Sequence, residues 1–169
     1  VSDNFPVTRL AYNNFYNDSI NPDAYISKID KDGSVILSST FYGSDKYDQS
    51  YFIEMNNSNH IYILGQTKAD SILLVYNSNY YIENGGQFIA VFDNDLQNLL
   101  RSTMIGTGKG SPDISPTAFL VDKCNNIYIS GWGSNLGGNL STLNMPITNN
   151  AFQTTTDGND FYLAVLNEF

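Results

Sequence analysis

The chain has 169 residues, a formal net charge of −9, 15% charged residues and 14% aromatic residues. That charged fraction lies below the roughly 25% usual for soluble domains, and so much apolar and aromatic side chain argues against disorder. Only 8 Lys and Arg are present and they do not cluster, which argues against a nucleic-acid groove or an anionic membrane surface as partner.

Taken in order, the chain opens with a Pro-containing linker over residues 1–22. Residues 23–67 read as a first unit of four short strands, near 25–30, 35–42, 50–55 and 60–66. A linker over 68–85 follows, then a second unit over 86–133 with strands near 87–93, 98–105, 117–122 and 126–132. Another linker, 134–159, leads to the first strand of a third unit, 160–169. The runs are rich in Ile, Val, Tyr, Phe and Thr, and Gly, Asn or Asp punctuate them. No window holds a 3.6-residue apolar period, so the expected class is all-β. The longest plainly apolar run, "ILLVY" at 72–76, is far too short to span a bilayer. The chain starts "VSDNF", without an initiator Met or a signal-like segment, and is expected to be part of a longer polypeptide.

The two units repeat each other. Residues 24–43 align with 87–106, matching Tyr25 with Phe88, Asp30 with Asp93 and Gly43 with Gly106. "SNHIYILG" aligns with "CNNIYISG", matching Ile61 with Ile127. The linker "FPVTRLAYN" aligns with "MPITNNAFQ", and a weaker middle copy, "LLVYNSNYY", lies between them.

Alternation says how the units are used. In "IYIL", Ile61 and Ile63 point one way while Tyr62 and Leu64 point the other. Both faces are apolar, so both should be covered. Radially stacked four-stranded blades of a β-propeller meet that need. Tandem sandwich domains would need about seven strands in about 100 residues per copy, and a β-solenoid would have shorter coils. The expectation is two four-stranded antiparallel blades plus part of a third, from a larger propeller. Such a fragment should expose apolar strands, residues 88–92 among them, and so be poorly soluble or self-associate.

"DAYISKIDKDGSVILSSTFYGS", residues 23–44, resembles the SBBP-type β-propeller repeat. "DKCNNIYISGWG" followed by "MPITNNAFQTTTDGNDFYLAVL" is similar to large surface proteins of Bacteroidota that are associated with gliding motility and exported by type IX secretion. Asn125 stands where those repeats prefer Gly, and the middle linker lacks their Pro-x-Thr signature. The resemblance implies a propeller fold, export to the cell surface or medium, and the type IX machinery as a partner. It ties the repeat to no single chemistry.

No catalytic motif is visible, and the expected role is a non-catalytic, adhesion-type scaffold that meets protein or glycan. The alternatives are a catalytic propeller whose active residues lie elsewhere, or a carbohydrate-binding one. Trp132, the only Trp, sits in "GWGSNLGGN" with Asn135 and is the candidate ligand-binding residue. Glycines admit a ligand close to the backbone and a Trp face stacks on sugar; the plain alternative is that Trp132 fills a gap between blades. Ser19 and Ser71, each in an Asp-Ser-Ile triplet, resemble Bacteroidota O-glycosylation acceptors. Asp30 and Asp32 in "DKDGS" suggest the start of a calcium loop but lack its later ligands, so a turn is preferred and no cofactor or metal is expected. His60 and Asp157–Asp160 also read as turn residues. The single Cys124 can form neither an internal disulfide nor a zinc site.

Overall fold

A computed structural model describes residues 5–16, 20–134 and 139–167. They hold nine strands and no helix: β1 (Ala24–Ile29), β2 (Ile36–Tyr42), β3 (Asp48–Met55), β4 (Ile61–Thr67), β5 (Gln87–Phe92), β6 (Leu99–Ile105), β7 (Ser115–Val121), β8 (Ile127–Trp132) and β9 (Phe161–Leu166). Every pairing between them is antiparallel. The all-β class and the strand positions therefore follow the sequence reading closely.

The grouping does not. Sheet 1 is β1-β2, sheet 2 is β3-β4-β5-β6 and sheet 3 is β7-β8-β9. The expected pair of four-stranded sheets is corrected to sheets of two, four and three strands. Each repeat unit is divided: its first two strands close one sheet and its last two open the next. Thus β5 pairs with β4 along its whole length, from Phe92 opposite Ile61 to Gln87 opposite Gln66. Strands β2 and β3, joined only by residues 43–47, lie in different sheets.

Sheet 2 is buried on both faces, as the double apolar alternation requires. Ile61, Ile63, Phe88, Ala90, Phe92 and Met104 share a core with Ala24, Ile26 and Tyr42 of sheet 1. The opposite face presents Tyr62, Leu64, Ile89, Val91 and Ile105 to Phe119, Ile127 and Ile129 of sheet 3. Residues 88–92 are consequently the most enclosed stretch rather than an exposed one. That expectation is corrected because β5 is a central strand of the middle sheet.

Details repeat with the sequence. Bulges fall between Lys28 and Ile29 and again between Val91 and Phe92. They also fall between Ser50 and Phe52 and again between Pro116 and Ala118, where β7 tolerates its proline on a sheet edge. The linkers have a shared task as well. Residues 8–13 hydrogen-bond the outer edge of β2 through Thr8 to Ser39 and Asn13 to Phe41. The middle linker does the same for β6, where Tyr76 and Ser102 exchange backbone bonds and Ile82 donates to Met104. Outer edges are thereby withdrawn from further pairing. Tyr25 and Tyr162 each donate to a linker proline carbonyl, of Pro6 and Pro146 respectively.

The turns are held by carboxylates. Asp30 Oδ1 accepts from the amides of Ser34 and Val35, and Oδ2 accepts from the Ser34 hydroxyl. Asp93 holds Gln97 and Asn98 in the same way, and Asp122 holds Cys124 and Asn126. Asn59 and Asn125 occupy matching left-handed positions, φ 61° and 63°. Asn visits that region far more readily than most residues, so both copies meet the same turn geometry with the same residue type. In the Asp93 turn, Leu96 sits at φ 55° where the first copy has Gly33. Its side chain is fully buried in the sheet 1–sheet 2 core, which offsets the strain.

These turns carry an acid dependence. Asp30 lies below its ordinary pKa, chiefly through the Val35 amide bond, and Asp122 chiefly through the Asn126 side chain. For Asp93, partial burial pushes upward, but the bonds from Asn98 and Gln97 together hold the group low. A depressed folded pKa gives stability that is complete above the unfolded value near 3.9 and disappears as pH falls through the folded value. Asp48 runs the other way, raised by burial despite its bonds from Thr67 and Ser44; its protonation relieves a cost. The denaturant midpoint is therefore expected to hold to about pH 4 and fall below it, with Asp122→Asn showing a shallower fall. A midpoint unchanged between about pH 5 and 2.5 would contradict the carboxylate-held turns.

Candidate interaction surfaces

The internal repeat makes each sheet a reference for the others, and two surfaces stand out as incompletely covered. On β7, Phe119 and Val121 lie in the core shared with Tyr62 and Leu64 of β4. Their counterparts on β3, Ile53 and Met55, are each 57% exposed. They border a groove of about 310 Å³ that also touches Ile26, Lys28, Ile61 and Leu96. It opens where sheet 1, having only β1 and β2, ends over sheet 2. Lys28 crosses its lower end, donating from Nζ to Asn94 Oδ1 at 3.0 Å.

The second surface is the outer face of sheet 3. Pairing of Trp132 with Phe161, Ser130 with Leu163 and Tyr128 with Val165 puts these six residues on one side. Phe161 is 70% and Leu163 75% exposed. On sheet 2 the matching residues, Ile89 and Val91, are sealed beneath sheet 3. The sequence held the signal for both surfaces, the period-2 apolar pattern of "FIEM" and "FYLAVL", but nothing in it says which copy lacks a neighbour.

Trp132 closes β8 and is half-buried. Its counterpart Gln66 sits inside the junction of sheets 2 and 3, where Nε2 donates to the Ile114 carbonyl at 2.8 Å and Oε1 accepts from the Tyr51 hydroxyl at 2.9 Å. Trp132 thus stands in the row that elsewhere meets a neighbouring sheet, and the same position leaves its ring accessible to a ligand. Asn135 and Ser19 lie outside the described residues. Ser71 is exposed with φ 55° in the middle linker, its hydroxyl 3.2 Å from Glu83 Oε1.

Both carboxylate oxygens of Asp30 are occupied within the turn, and Asp32 is exposed beside it. His60 donates its backbone amide to Asn56 Oδ1 in the corresponding turn. Cys124 is exposed in the next one. Asp157 and Asp160 serve the turn before β9, accepting from the Asn159 amide and the Thr156 hydroxyl. Among the described residues, no three His, Cys, Asp or Glu side chains gather in a way that could hold a metal ion.

A second, more polar hollow of about 390 Å³ lies beside Thr107, Lys109, Asp113 and Ser141. Its charges are matched internally. Buried Asp113 accepts from the Thr107 amide and hydroxyl, and Lys109 Nζ stands 3.2 Å from its Oδ1. Lys109 also donates to the Asn139 carbonyl at 2.9 Å. Such closure makes the hollow a brace for the loop between β6 and β7. No helix among the described residues is long and apolar enough to cross a membrane. The chain matches no family model, and no curated protein matches it in sequence.

Proposed function

We propose that this chain is a stack of β-propeller blades of the SBBP-type repeat, serving as a non-catalytic scaffold and interaction module of an exported or cell-surface protein. The observation carrying this reading is the arrangement of sheet 2, apolar on both faces and closed between two sheets of the same repeat. The first strands of sheets 2 and 3, β3 and β7, also contact each other, as the inner strands of neighbouring blades do around an axis. Export and the type IX machinery as partner rest on the sequence resemblance. The reading is tested by immobilising the chain and measuring binding to surface polysaccharides and surface proteins. Saturable binding with the bound material recovered chemically unchanged is expected; conversion of that material would overturn the non-catalytic assignment.

A second reading, carbohydrate binding through Trp132, is favoured by one observation: Trp132 is the register partner of exposed Phe161 on an open face. Such a pair offers an aromatic platform to a sugar ring. Trp132→Ala is expected to cost this chain about 1 kcal/mol or less, since a half-open ring leaves little cavity, against about 3–5 kcal/mol for a fully packed one. Glycan binding should disappear with it. A large loss of stability, or glycan binding that survives, would remove this second reading.

A further inference from the structure

The middle linker is fixed to β6 by its main chain. Tyr76 exchanges backbone bonds of 3.0 and 2.8 Å with Ser102, and Ile82 donates to Met104 at 2.8 Å. Between them the Thr103 hydroxyl holds the Tyr80 carbonyl, and Ser78 Oγ donates to the same carbonyl at 2.8 Å. Beyond Ile82, the Asn84 amide donates to the Ser71 carbonyl at 2.9 Å. The side chains of this rigid loop are turned to other use. Tyr76 is 54%, Tyr80 42% and Tyr81 44% exposed, and Asn77 and Asn79 between them are exposed as well. The first linker seals β2 with "FPVTRLAYN" where the middle one has "LLVYNSNYY", so covering an edge does not call for this run of Tyr and Asn. The loop lies on the outer edge of sheet 2, which has four strands and a sheet against either face. Stacking adds sheets to faces, so it leaves this edge open however the stack continues.

Tyr, Asn and Ser are the residues of antibody binding loops: Tyr gives broad, rigid, amphipathic contact, and Asn and Ser give adaptable hydrogen bonds. A backbone fixed in advance lowers the cost of binding. Charge selects the partner. Residues 71–82 contain no charged side chain, in a chain of net charge −9. An anionic polymer finds no cation in that run. A basic one finds carboxylates only at its ends, on Asp70 and Glu83, and Glu83 Oε1 stands 3.2 Å from the Ser71 hydroxyl. A neutral, hydroxyl-bearing polymer fits. Its sugar rings offer apolar faces to Tyr, and its hydroxyls suit amides that both donate and accept. We propose that the loop of residues 76–81 is a binding site for a neutral polysaccharide, with Tyr76, Tyr80 and Tyr81 stacking on sugar rings and Asn77 and Asn79 bonding their hydroxyls. Asn77 donates from Nδ2 to the Leu100 carbonyl at 3.4 Å, leaving Oδ1 to accept from a ligand.

The proposal rests on the interaction-module reading and gives it a place and a partner. Affinity electrophoresis tests it, in gels holding dextran, starch, galactomannan or glucomannan, with polygalacturonate as the anionic comparison. At least one neutral polymer is expected to retard the chain, equally at about 0.05 and 0.5 M salt because no charges are matched. Polygalacturonate should not. Replacing all three rings, Tyr76→Ser with Tyr80→Ser and Tyr81→Ser, should weaken retardation about tenfold or more, each stacked ring being worth a few-fold. The urea midpoint should hold, since the rings are exposed; if it falls, the single variants are read instead, each a few-fold weaker. Retardation by none of the neutral polymers, variants retarded like the parent, or retardation abolished by salt would overturn the site. The interaction-module reading survives each of those results if the chain still binds surface proteins, and falls with the site if it binds nothing. Retardation that persists in the tyrosine variants but is lost in Trp132→Ala refutes this loop and supports the surface on sheet 3.

Discussion

Replacing Phe88 by alanine is expected to cost about 3–5 kcal/mol, the range for emptying a buried aromatic site. The ring is wholly inaccessible, near the start of the central strand β5, with its centroid 5.2 Å from that of Tyr42. On the other side it occupies the space that a side chain at Gly65 would need. A Cβ built there would lie 2.3 Å from the ring and 2.4 Å from the Gln49 carbonyl. Gly65 is laddered to Ser50 on one side and Phe88 on the other. Its backbone therefore cannot move in to fill the void. Domains are stable by only about 5–15 kcal/mol, so about a fifth or more of the total would be lost. Urea denaturation of the variant and parent measures it. A loss below about 1 kcal/mol would mean that the two sheets are not packed through this ring.

Gly86→Ala should be comparably damaging for a different reason. A Cβ at Gly86 would stand 2.0 Å from the Ser111 carbonyl oxygen, 2.6 Å from its carbon and 2.8 Å from the Pro112 Cα. All three are backbone atoms, so no rotamer change relieves the overlap. The Gly86 carbonyl also accepts from the Thr67 amide at 3.0 Å, tying the end of the middle linker to β4. We expect a loss at or beyond the top of the usual range of about 1–3 kcal/mol for overpacking, read as a fall in thermal midpoint. Gly33→Ala is the comparison. Nothing lies within 4 Å of its Cβ, and its φ of 70° alone opposes the change, by about 1–2 kcal/mol. Equal effects at the two glycines would refute the steric argument.

The strands were legible in the sequence because β-branched and aromatic runs ended by Asn, Asp and Gly report local geometry. Ile61 to Leu64 even disclosed that both faces are covered. What stayed hidden was which strands are neighbours. Consecutive elements usually lie side by side, and here the rule misleads. The short link 43–47 crosses from one sheet to the next, whereas the long link 68–86 returns to the same sheet. That long link lies along β6, where Tyr76 and Ile82 bond its edge, a use that composition does not announce. The open surfaces at Ile53 and Leu163 were hidden for a related reason. Their residue types equal those of buried counterparts, and only stacking separates them. Trp132 stands out in the sequence as the only Trp, set among glycines, but its register partner Phe161 lies in another unit and 29 residues further on, so their pairing could not be read from spacing.

The offset between repeat and sheet bears on how such a chain can grow. If sheet and sequence unit coincided, duplicating one unit would add a finished sheet joined to the rest only by a loop. Here each added unit supplies two strands that finish the sheet before it and two that begin the one after, as β3-β4 and β5-β6 do. Courses of brick laid with staggered joints behave alike: no joint runs straight through the wall. Unequal recombination can therefore insert or delete whole copies anywhere along the chain, and each altered chain still has every internal sheet sewn together by two successive units.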